Sequence, residues 1–202
     1  MKKILNSKCV MLRRKLCIDL CAGLKGFSQA FEDSEDWDVI SIEINKKQHP
    51  TIQADVCHLP LKKNLKPDVL LASPPCQRFS IGMPTFPMLG VQKAMEIVGA
   101  CFEAVAFLKP KYWLIENPKG RLRWFVGTPK QTIRYSDYDL IYPVQKATDL
   151  WGNLPLPMVK HIRMVKGQVD IDLPRDRARR SKIPAGVSQA VLKAIKIQNA
   201  QH

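Results

Sequence analysis

The segment Val69-Leu70-Leu71-Ala72-Ser73-Pro74-Pro75-Cys76 joins an apolar run to a turn that two prolines stiffen. The apolar run is typical of a buried strand. The prolines end it, because each fixes φ at about −65° and lacks an N–H donor. Cys76 therefore follows the carboxyl end of a predicted strand, where open parallel sheets bind their ligands. This position predicts a nucleophilic thiol, against the alternative of a small buried cysteine.

Strands and helices alternate on both sides of this segment. The predicted strands lie at 15–20, 37–44, 51–56, 68–72 and 112–115, and the predicted helices at 27–31 and 92–108. Strands that are separated by helices form mostly parallel sheets with right-handed connections. The sequence therefore predicts an α/β protein with a doubly wound, mostly parallel sheet.

Length and composition limit the class of protein. The 202 residues correspond to one ordinary domain. The sequence has no run of about 18 apolar residues that could span a membrane, and the basic N-terminus has too short an apolar part for a signal peptide. The six cysteines show neither a C-x-x-C pair nor the cysteine–histidine spacing of a zinc site. We therefore expect a soluble, cytoplasmic protein with reduced thiols, no metal and no membrane partner.

The chain is strongly basic, with a net charge of +14, and most of the excess lies in its second half. Two groups of basic residues stand out. The first is Lys119, Arg121, Arg123 and Lys130, and the second is Arg175, Arg177, Arg179, Arg180 and Lys182. Such groups bind phosphates without reading base sequence. The charge predicts a nucleic acid as partner. The alternative is a solvated basic face that pairs in part with nearby aspartates.

Three carboxylates come near a glycine turn. Asp19 ends the first predicted strand just before Gly23 and Gly26, Glu43 ends the second strand, and Asp55 lies near the end of the third. Carboxylates at one sheet edge suit the hydroxyls of a ribose and the amine of an adenine. The turn lacks the G-x-G-x-x-G spacing that brings the backbone up to a pyrophosphate. These residues predict a nucleoside cofactor without a pyrophosphate, and S-adenosylmethionine fits that description.

Three motifs resemble, in order and spacing, those of the cytosine-5 methyltransferases. They are residues 19–27 (DLCAGLKGF), 73–80 (SPPCQRFS) and 116–118 (ENP). The resemblance continues at 180–184 (RSKIP), before a final helix. It implies a Rossmann-like fold that binds S-adenosylmethionine and methylates C5 of cytosine in DNA through a covalent cysteine adduct. It also implies a catalytic core over 1–153, a small basic C-terminal lobe over 154–182 and a helix over 183–202 that returns to the core.

The resemblance assigns roles to individual residues. Cys76 would add to C6 of the cytosine ring, and Glu116 would bind N3 and the exocyclic amine. The implied catalytic set is Cys76, Glu116, Asn117 and Pro75. The implied cofactor-binding set is Asp19, Leu20, Ala22, Gly23, Gly26, Phe27, Glu43, Ile44, Asp55, Val56 and Pro74. The implied nucleic-acid contacts are Gln77, Arg78, Ser80, Lys119, Arg121, Arg123, Arg175, Arg177, Arg179 and Arg180.

Some positions depart from the family's pattern. Cys21 replaces the usual phenylalanine, Lys25 stands where a glycine is common, and Pro118 replaces the usual valine. No segment clearly matches the family's Gln-x-Arg-x-Arg motif. The nearest candidates are Arg134 in 132–135 and the segment 145–153, in which Lys146 and Thr148 would be base or backbone contacts.

The basic segment at 154–182 is too short for a large target-recognition domain, so we expect short or relaxed sequence specificity. Two alternatives stay open. One is a cytosine-5 methyltransferase that acts on transfer RNA. The other is a cofactor- and nucleic-acid-binding module with little activity that needs a partner.

Overall fold

The computed structural model describes residues 13–59, 62, 64–81, 88–139, 147–157 and 182–201. In these ranges one sheet contains the strands β1 (Lys15–Leu20), β2 (Trp37–Glu43), β3 (Ile52–Gln53), β4 (Val69–Ala72), β5 (Tyr112–Pro118), β6 (Gln131–Arg134) and β7 (Ala147–Gly152). The α-helices are α1 (Gln29–Glu32), α2 (Met88–Leu108), α3 (Arg123–Val126) and α4 (Ala185–Ala200).

The sheet has the strand order β3-β2-β1-β4-β5-β7-β6. Strands β1 to β5 pair in parallel, and β7 is antiparallel to both β5 and β6. The predicted doubly wound, mostly parallel α/β fold is confirmed. The direction of strand order reverses between β1 and β4, and in such sheets a ligand crevice opens at the carboxyl ends of those strands.

Side chains of the central strands bury on both faces of the sheet. In β4, Val69 and Leu71 join one apolar cluster together with α1 and α4, whereas Leu70 and Ala72 join a second cluster together with α2. This alternation follows from the period of two in a strand. All four side chains of β4 are buried. The turn after β4 therefore follows a strand whose side chains are buried on both faces of the sheet.

One predicted strand is shorter than expected. The segment 51–56 forms a strand only at Ile52–Gln53 and then turns into a short 3-10 helix at Val56–His58. The Asp55 carboxylate accepts a hydrogen bond of 3.0 Å from the backbone N–H of Cys57. Such local capping by an aspartate competes with strand pairing, and it ends β3 before Asp55.

Helix α4 packs into the core beside α1. Val187, Val191 and Ile195 are buried in the cluster on that face. The Ser188 hydroxyl donates to the carbonyl oxygen of Phe27 at 2.7 Å. The helix is thereby tied to the chain that links β1 to α1.

Most of the expected basic lobe, residues 158–181, lies outside the described residues, together with Arg175, Arg177, Arg179 and Arg180. Within the described part of the chain, no helix is long and apolar enough to cross a membrane. The same residues contain no group of three histidine, cysteine or acidic side chains placed to hold a metal ion.

Candidate active site

Cys76 lies in a short turn directly after β4. The backbone N–H of Phe79 donates to the carbonyl oxygen of Cys76 at 3.0 Å and closes this turn. Phe79 is buried, whereas Gln77 and Arg78 are exposed. The turn is therefore anchored by a strand at one end and by a buried aromatic ring at the other. Cys76 itself is half-buried at the crevice.

Glu116 and Asn117 lie near the end of β5, the neighbour of β4. Ala72 of β4 pairs with Ile115, so Glu116 extends one residue past the paired region, level with the turn. The amide of Asn117 donates to the carbonyl oxygen of Pro74 at 2.9 Å. Glu116 is buried, and it lines the same cavity of about 210 Å³ as Cys76. The two strands thus bring the thiol and the carboxyl to one space.

The Glu116 carboxyl has two hydroxyl partners on one oxygen. Tyr135, directly after β6, donates to Oε1 at 2.7 Å. Thr148 of β7 donates to the same oxygen through Oγ1. Both residues are completely buried. Thr148 was a candidate for a base or backbone contact, and the structure places its hydroxyl on Glu116.

The segment 132–135 places Tyr135, which the sequence analysis did not single out, at the site. Arg134, its candidate residue, is exposed, whereas the adjacent Tyr135 is buried and faces Glu116. Ile133 and Tyr135 are both buried and flank the exposed Arg134. This alternation of apolar and polar residues was the signal that could have identified Tyr135.

Two adjoining cavities receive most of the expected cofactor residues. The first is lined by Ala22, Gly23, Gly26, Phe27, Glu43 and Pro74, together with Pro75, Cys76, Gln77 and Glu116. The second, of about 230 Å³, is lined by Glu43, Ile44, Asp55 and Val56. Cys21, Glu43 and Pro75 line both cavities. An elongated ligand could therefore extend from the second cavity towards Cys76.

Two carboxylates mark the second cavity. The backbone N–H of Gly23 donates to Glu43 Oε2 at 3.0 Å, which ties the glycine turn to the end of β2. The hydrogen bond from the Cys57 backbone lowers the pKa of Asp55 from its usual value. Asp55 is therefore ionised at neutral pH and can accept hydrogen bonds from a ligand.

Asp19 and Leu20 are completely buried and line neither of these cavities. The Ser28 hydroxyl donates to Asp19 Oδ2 at 2.6 Å. Oδ1 has no hydrogen-bond partner among the described residues. Burial raises the pKa of Asp19 to about 7. The structure places Asp19 behind the cavity wall, where its contact is with Ser28.

The residues just before α4 form part of the wall of the first cavity. Lys182 and Ile183 line it. A Cβ atom on Gly26 would lie 2.3 Å from the carbonyl oxygen of Ile183, so only glycine permits this approach. The chain just before α4 therefore lies against the glycine turn, beside the first cavity. Gln48 also lines the cavity, and no motif in the sequence marked it.

The basic residues of the first group have different surroundings. Lys119 is exposed. Arg121 donates to the carbonyl oxygen of Ser80 at 3.1 Å and so lies against the turn that carries Cys76. Arg123 instead donates to both oxygens of the buried Asp149, each at 2.5 Å. This ion pair raises the pKa of Arg123 and gives its charge a partner inside the protein.

The family model for C-5 cytosine-specific DNA methylases matches residues 16–133, which is more than half of the chain. The chain belongs to this family. A relative from Frog virus 3 (isolate Goorha), "Probable DNA (cytosine-5)-methyltransferase", is 28% identical over an alignment of 153 residues, and the match covers 68% of this chain and 70% of the relative.

Two solved methyltransferase structures are also similar to the chain. One is a DNA modification methyltransferase encoded within an E. coli prophage, with 21% identity, a TM-score of 0.49 and coverage of 68% of this chain and 46% of that one. The other is the Entamoeba histolytica methyltransferase EhMeth, with 15% identity, a TM-score of 0.46 and coverage of 76% and 57%. The methylase chain spans about half the length of these two proteins.

Two of the three positions at which this methylase departs from its family have a left-handed backbone. Cys21 has φ of 52° and Lys25 has φ of 55°, so two residues other than glycine take this conformation in the turn after β1. The backbone N–H of Lys25 donates to the carbonyl oxygen of Ala22 at 2.7 Å. Lys25 also pairs with Glu32 at 3.4 Å. These contacts hold a conformation that a side chain disfavours.

Proposed function

We propose that this protein transfers a methyl group from S-adenosylmethionine to C5 of cytosine in DNA, with Cys76 as the nucleophile and Glu116 as the group that binds the base. The observation that carries the proposal is the shared cavity of Cys76 and Glu116, which are far apart in the sequence. The hydrogen bond from Asn117 to Pro74 holds their two chain segments together. Membership of the C-5 cytosine-specific DNA methylase family supports the same reaction.

The reaction needs a nucleophile and a group that binds the base, because C5 of cytosine is a weak carbon nucleophile. The Cys76 thiolate forms a bond to C6, and the electron pair of the C5–C6 double bond moves towards C5. Glu116 binds N3 and the exocyclic amine, and a proton held between Glu116 and N3 neutralises the charge on the ring. The methyl group would then pass to C5 as its bond to the sulfonium sulfur breaks, and a neutral thioether would be left as the leaving group. A base removes the C5 proton, the double bond re-forms, and Cys76 leaves.

The two cavities fit the proposed cofactor. The Glu43 and Asp55 carboxylates suit ribose hydroxyls and an adenine amine, and Ile44 and Val56 offer apolar walls to a flat ring. The first cavity leads from Glu43 to Cys76. When bound there, S-adenosylmethionine would supply an electrophilic methyl group on a sulfonium. Asp19 lines neither cavity and would act indirectly, by holding the chain between β1 and α1 through its hydrogen bond with Ser28.

The exposed side of the site fits a nucleic-acid strand. A base inside a duplex must leave the stack before it can reach a buried carboxyl. Gln77 and Arg78 are exposed beside Cys76, and Arg121 and Lys119 follow Glu116 along the chain. These residues would contact phosphates around the extruded base. Arg175, Arg177, Arg179 and Arg180 remain predicted contacts.

A covalent trap tests the proposal. DNA that contains 5-fluorocytosine cannot lose the C5 substituent, so the protein and the cofactor should form a stable adduct that Cys76→Ser abolishes. Cys17→Ala is the matched control, because Cys17 is a buried cysteine of β1 that lines neither cavity. Labelled cofactor is then offered with duplex DNA, single-stranded DNA and transfer RNA. Methylation of transfer RNA alone would favour the RNA enzyme, and absence of any adduct would favour a binding module.

A further inference from the structure

Two neutral hydroxyl groups hold one oxygen of Glu116. The Tyr135 hydroxyl lies 2.7 Å from Oε1, and the Thr148 hydroxyl donates to the same atom. Tyr135 and Thr148 are each 0% exposed, and Glu116 is 5% exposed. A hydrogen bond to a charged group in such a place is stronger than one at the surface, because water does not compete for it.

The sheet register explains how three strands meet at this oxygen. In β7, Thr148 pairs with Pro118 of β5 on one side and with Ile133 of β6 on the other. Paired residues and alternate residues of a strand share a face of the sheet. Glu116, Thr148 and Tyr135 therefore project from the same face. The carboxyl is therefore held by a residue of β7 and by the first residue after β6.

We propose that Tyr135 and Thr148 are positioning residues that aim the Glu116 carboxyl at the target base. The inference rests on the proposed function. With Oε1 held by two donors, the carboxyl keeps one orientation while the base enters. Both donors are neutral, so they favour the ionised carboxyl by hydrogen bonding alone and leave it able to share a proton with N3.

Other ionisable groups surround Glu116. Those that share its cavity are Cys21, Glu43, Cys76 and Lys182. On β7, the next residue, Asp149, projects from the opposite face and is paired with Arg123. The contacts of Glu116 with Tyr135 and Thr148 come from hydroxyls that isosteric substitutions can remove.

Tyr135→Phe and Thr148→Val each remove one hydroxyl and keep the shape of the side chain. We expect the single-turnover rate of methyl transfer to fall about 10-fold to 100-fold in each variant. Affinities for S-adenosylmethionine and DNA should stay within about twofold, because neither residue lines the cavities. Loss of a donor destabilises the ionised form of the Glu116 carboxyl relative to its protonated form. The limb of the rate–pH profile that Glu116 governs should therefore move to higher pH.

Two further variants separate positioning from folding. Thr148→Ser keeps the hydroxyl and should keep the wild-type rate and pH profile. Tyr138→Phe removes a tyrosine hydroxyl whose hydrogen bond of 2.9 Å goes to the carbonyl oxygen of Pro157, and it should also leave both unchanged. Rates are normalised to the folded fraction from thermal unfolding. A loss of rate in Tyr135→Phe that merely follows the loss of folded protein would overturn the positioning role.

The wild-type adduct with 5-fluorocytosine DNA is measured first, because it tests the proposed function by itself. If the wild type forms the adduct but Tyr135→Phe and Thr148→Val react at its rate with its pH profile, the positioning role is wrong and the proposed function stands. If the wild type forms no adduct, the proposed function fails and the inference fails with it. Slow transfer with unchanged binding and a shifted pH limb supports both.

Discussion

The side-chain amide of Asn117 donates a hydrogen bond of 2.9 Å to the carbonyl oxygen of Pro74, and both residues are buried. The bond fastens the end of β5 to the turn after β4. Cys76 lies two residues beyond one end of this bond, and Glu116 lies beside the other. The distance between thiol and carboxyl is therefore set by one hydrogen bond as well as by strand pairing.

Asn117→Ala should lower both stability and reaction rate. The Pro74 carbonyl would lose its buried partner, which costs about 1–3 kcal/mol. We expect adduct formation to slow at least about 10-fold, because Cys76 and Glu116 are no longer held together. Urea unfolding and the rate of adduct formation measure the two effects.

Asn153→Ala is the matched control for Asn117→Ala. Asn153 binds the backbone of Trp113 and Lys111 near the opposite end of β5. Its substitution should lower stability by removing both hydrogen bonds, while the adduct forms at the wild-type rate. Equal slowing by the two substitutions would show that the Asn117 bond has no special effect on the site.

Glu43→Ala should weaken binding of S-adenosylmethionine about 10-fold to 150-fold, because a charge-assisted hydrogen bond contributes roughly 1.5–3 kcal/mol. Glu43 also accepts the Gly23 N–H, so the turn loses its tie to β2. Calorimetry gives the affinity. Glu35→Ala, which removes an exposed carboxylate that lines neither cavity, should leave the affinity unchanged. Unchanged affinity in Glu43→Ala would remove Glu43 from the cofactor site.

Lys119→Ala and Arg123→Ala should affect different properties, although both remove a basic residue of the same group. The first should change DNA binding and the second should change stability. Lys119 is exposed, so its loss should reduce the slope of log affinity against log salt by about 0.9 on duplex DNA. Arg123 is paired with Asp149, whose side chain is 0% exposed. Its loss should cost about 2–4 kcal/mol of stability, because a buried carboxylate is left unpaired.

DNA binding at several salt concentrations and urea unfolding distinguish these two residues. A reduced salt slope in Arg123→Ala with wild-type stability would support the prediction that Arg123 contacts phosphate. A wild-type slope in Lys119→Ala would exclude Lys119 from the DNA contacts.

The buried Asp19 carboxyl should make stability depend on pH. Its pKa is about 7 in the folded protein and 3.8 as the ordinary value, mainly because of burial. The folded state then binds more protons than the unfolded state between these values, so stability falls as pH rises from about 4 to about 7 and levels off above that range. The slope approaches about 1.4 kcal/mol per pH unit for a single group.

Asp19→Asn should abolish this fall, which urea unfolding at a series of pH values would show. Asp36→Asn, an exposed acid before β2, is the control and should keep the wild-type pH dependence. If Asp19→Asn and the wild type lose stability in parallel across this range, another group is responsible.

Much of the site could be predicted from local sequence. The apolar strand before Pro74 must end in a turn whatever its position in the fold, because two prolines cannot continue a strand. The residues at the strand ends, such as Glu43 and Glu116, follow from the position of each strand in the sequence. Parallel strands bring such ends to one edge, which is why Cys76, Glu43 and Glu116 line one cavity as the alternating pattern indicates.

The partners of Glu116 and Arg123 depended on tertiary structure. Sequence periodicity did not mark β6 and β7 as strands, and only their antiparallel pairing beside β5 brings Tyr135 and Thr148 to the carboxyl. The sequence does not distinguish Arg123 from its basic neighbours. Only the tertiary structure places the buried Asp149 beside it. Local patterns are set by the backbone geometry of a few residues, so the sequence by itself determined the fold class and the reactive turn. Contacts between distant segments depend on register and burial, and the tertiary structure alone decided them.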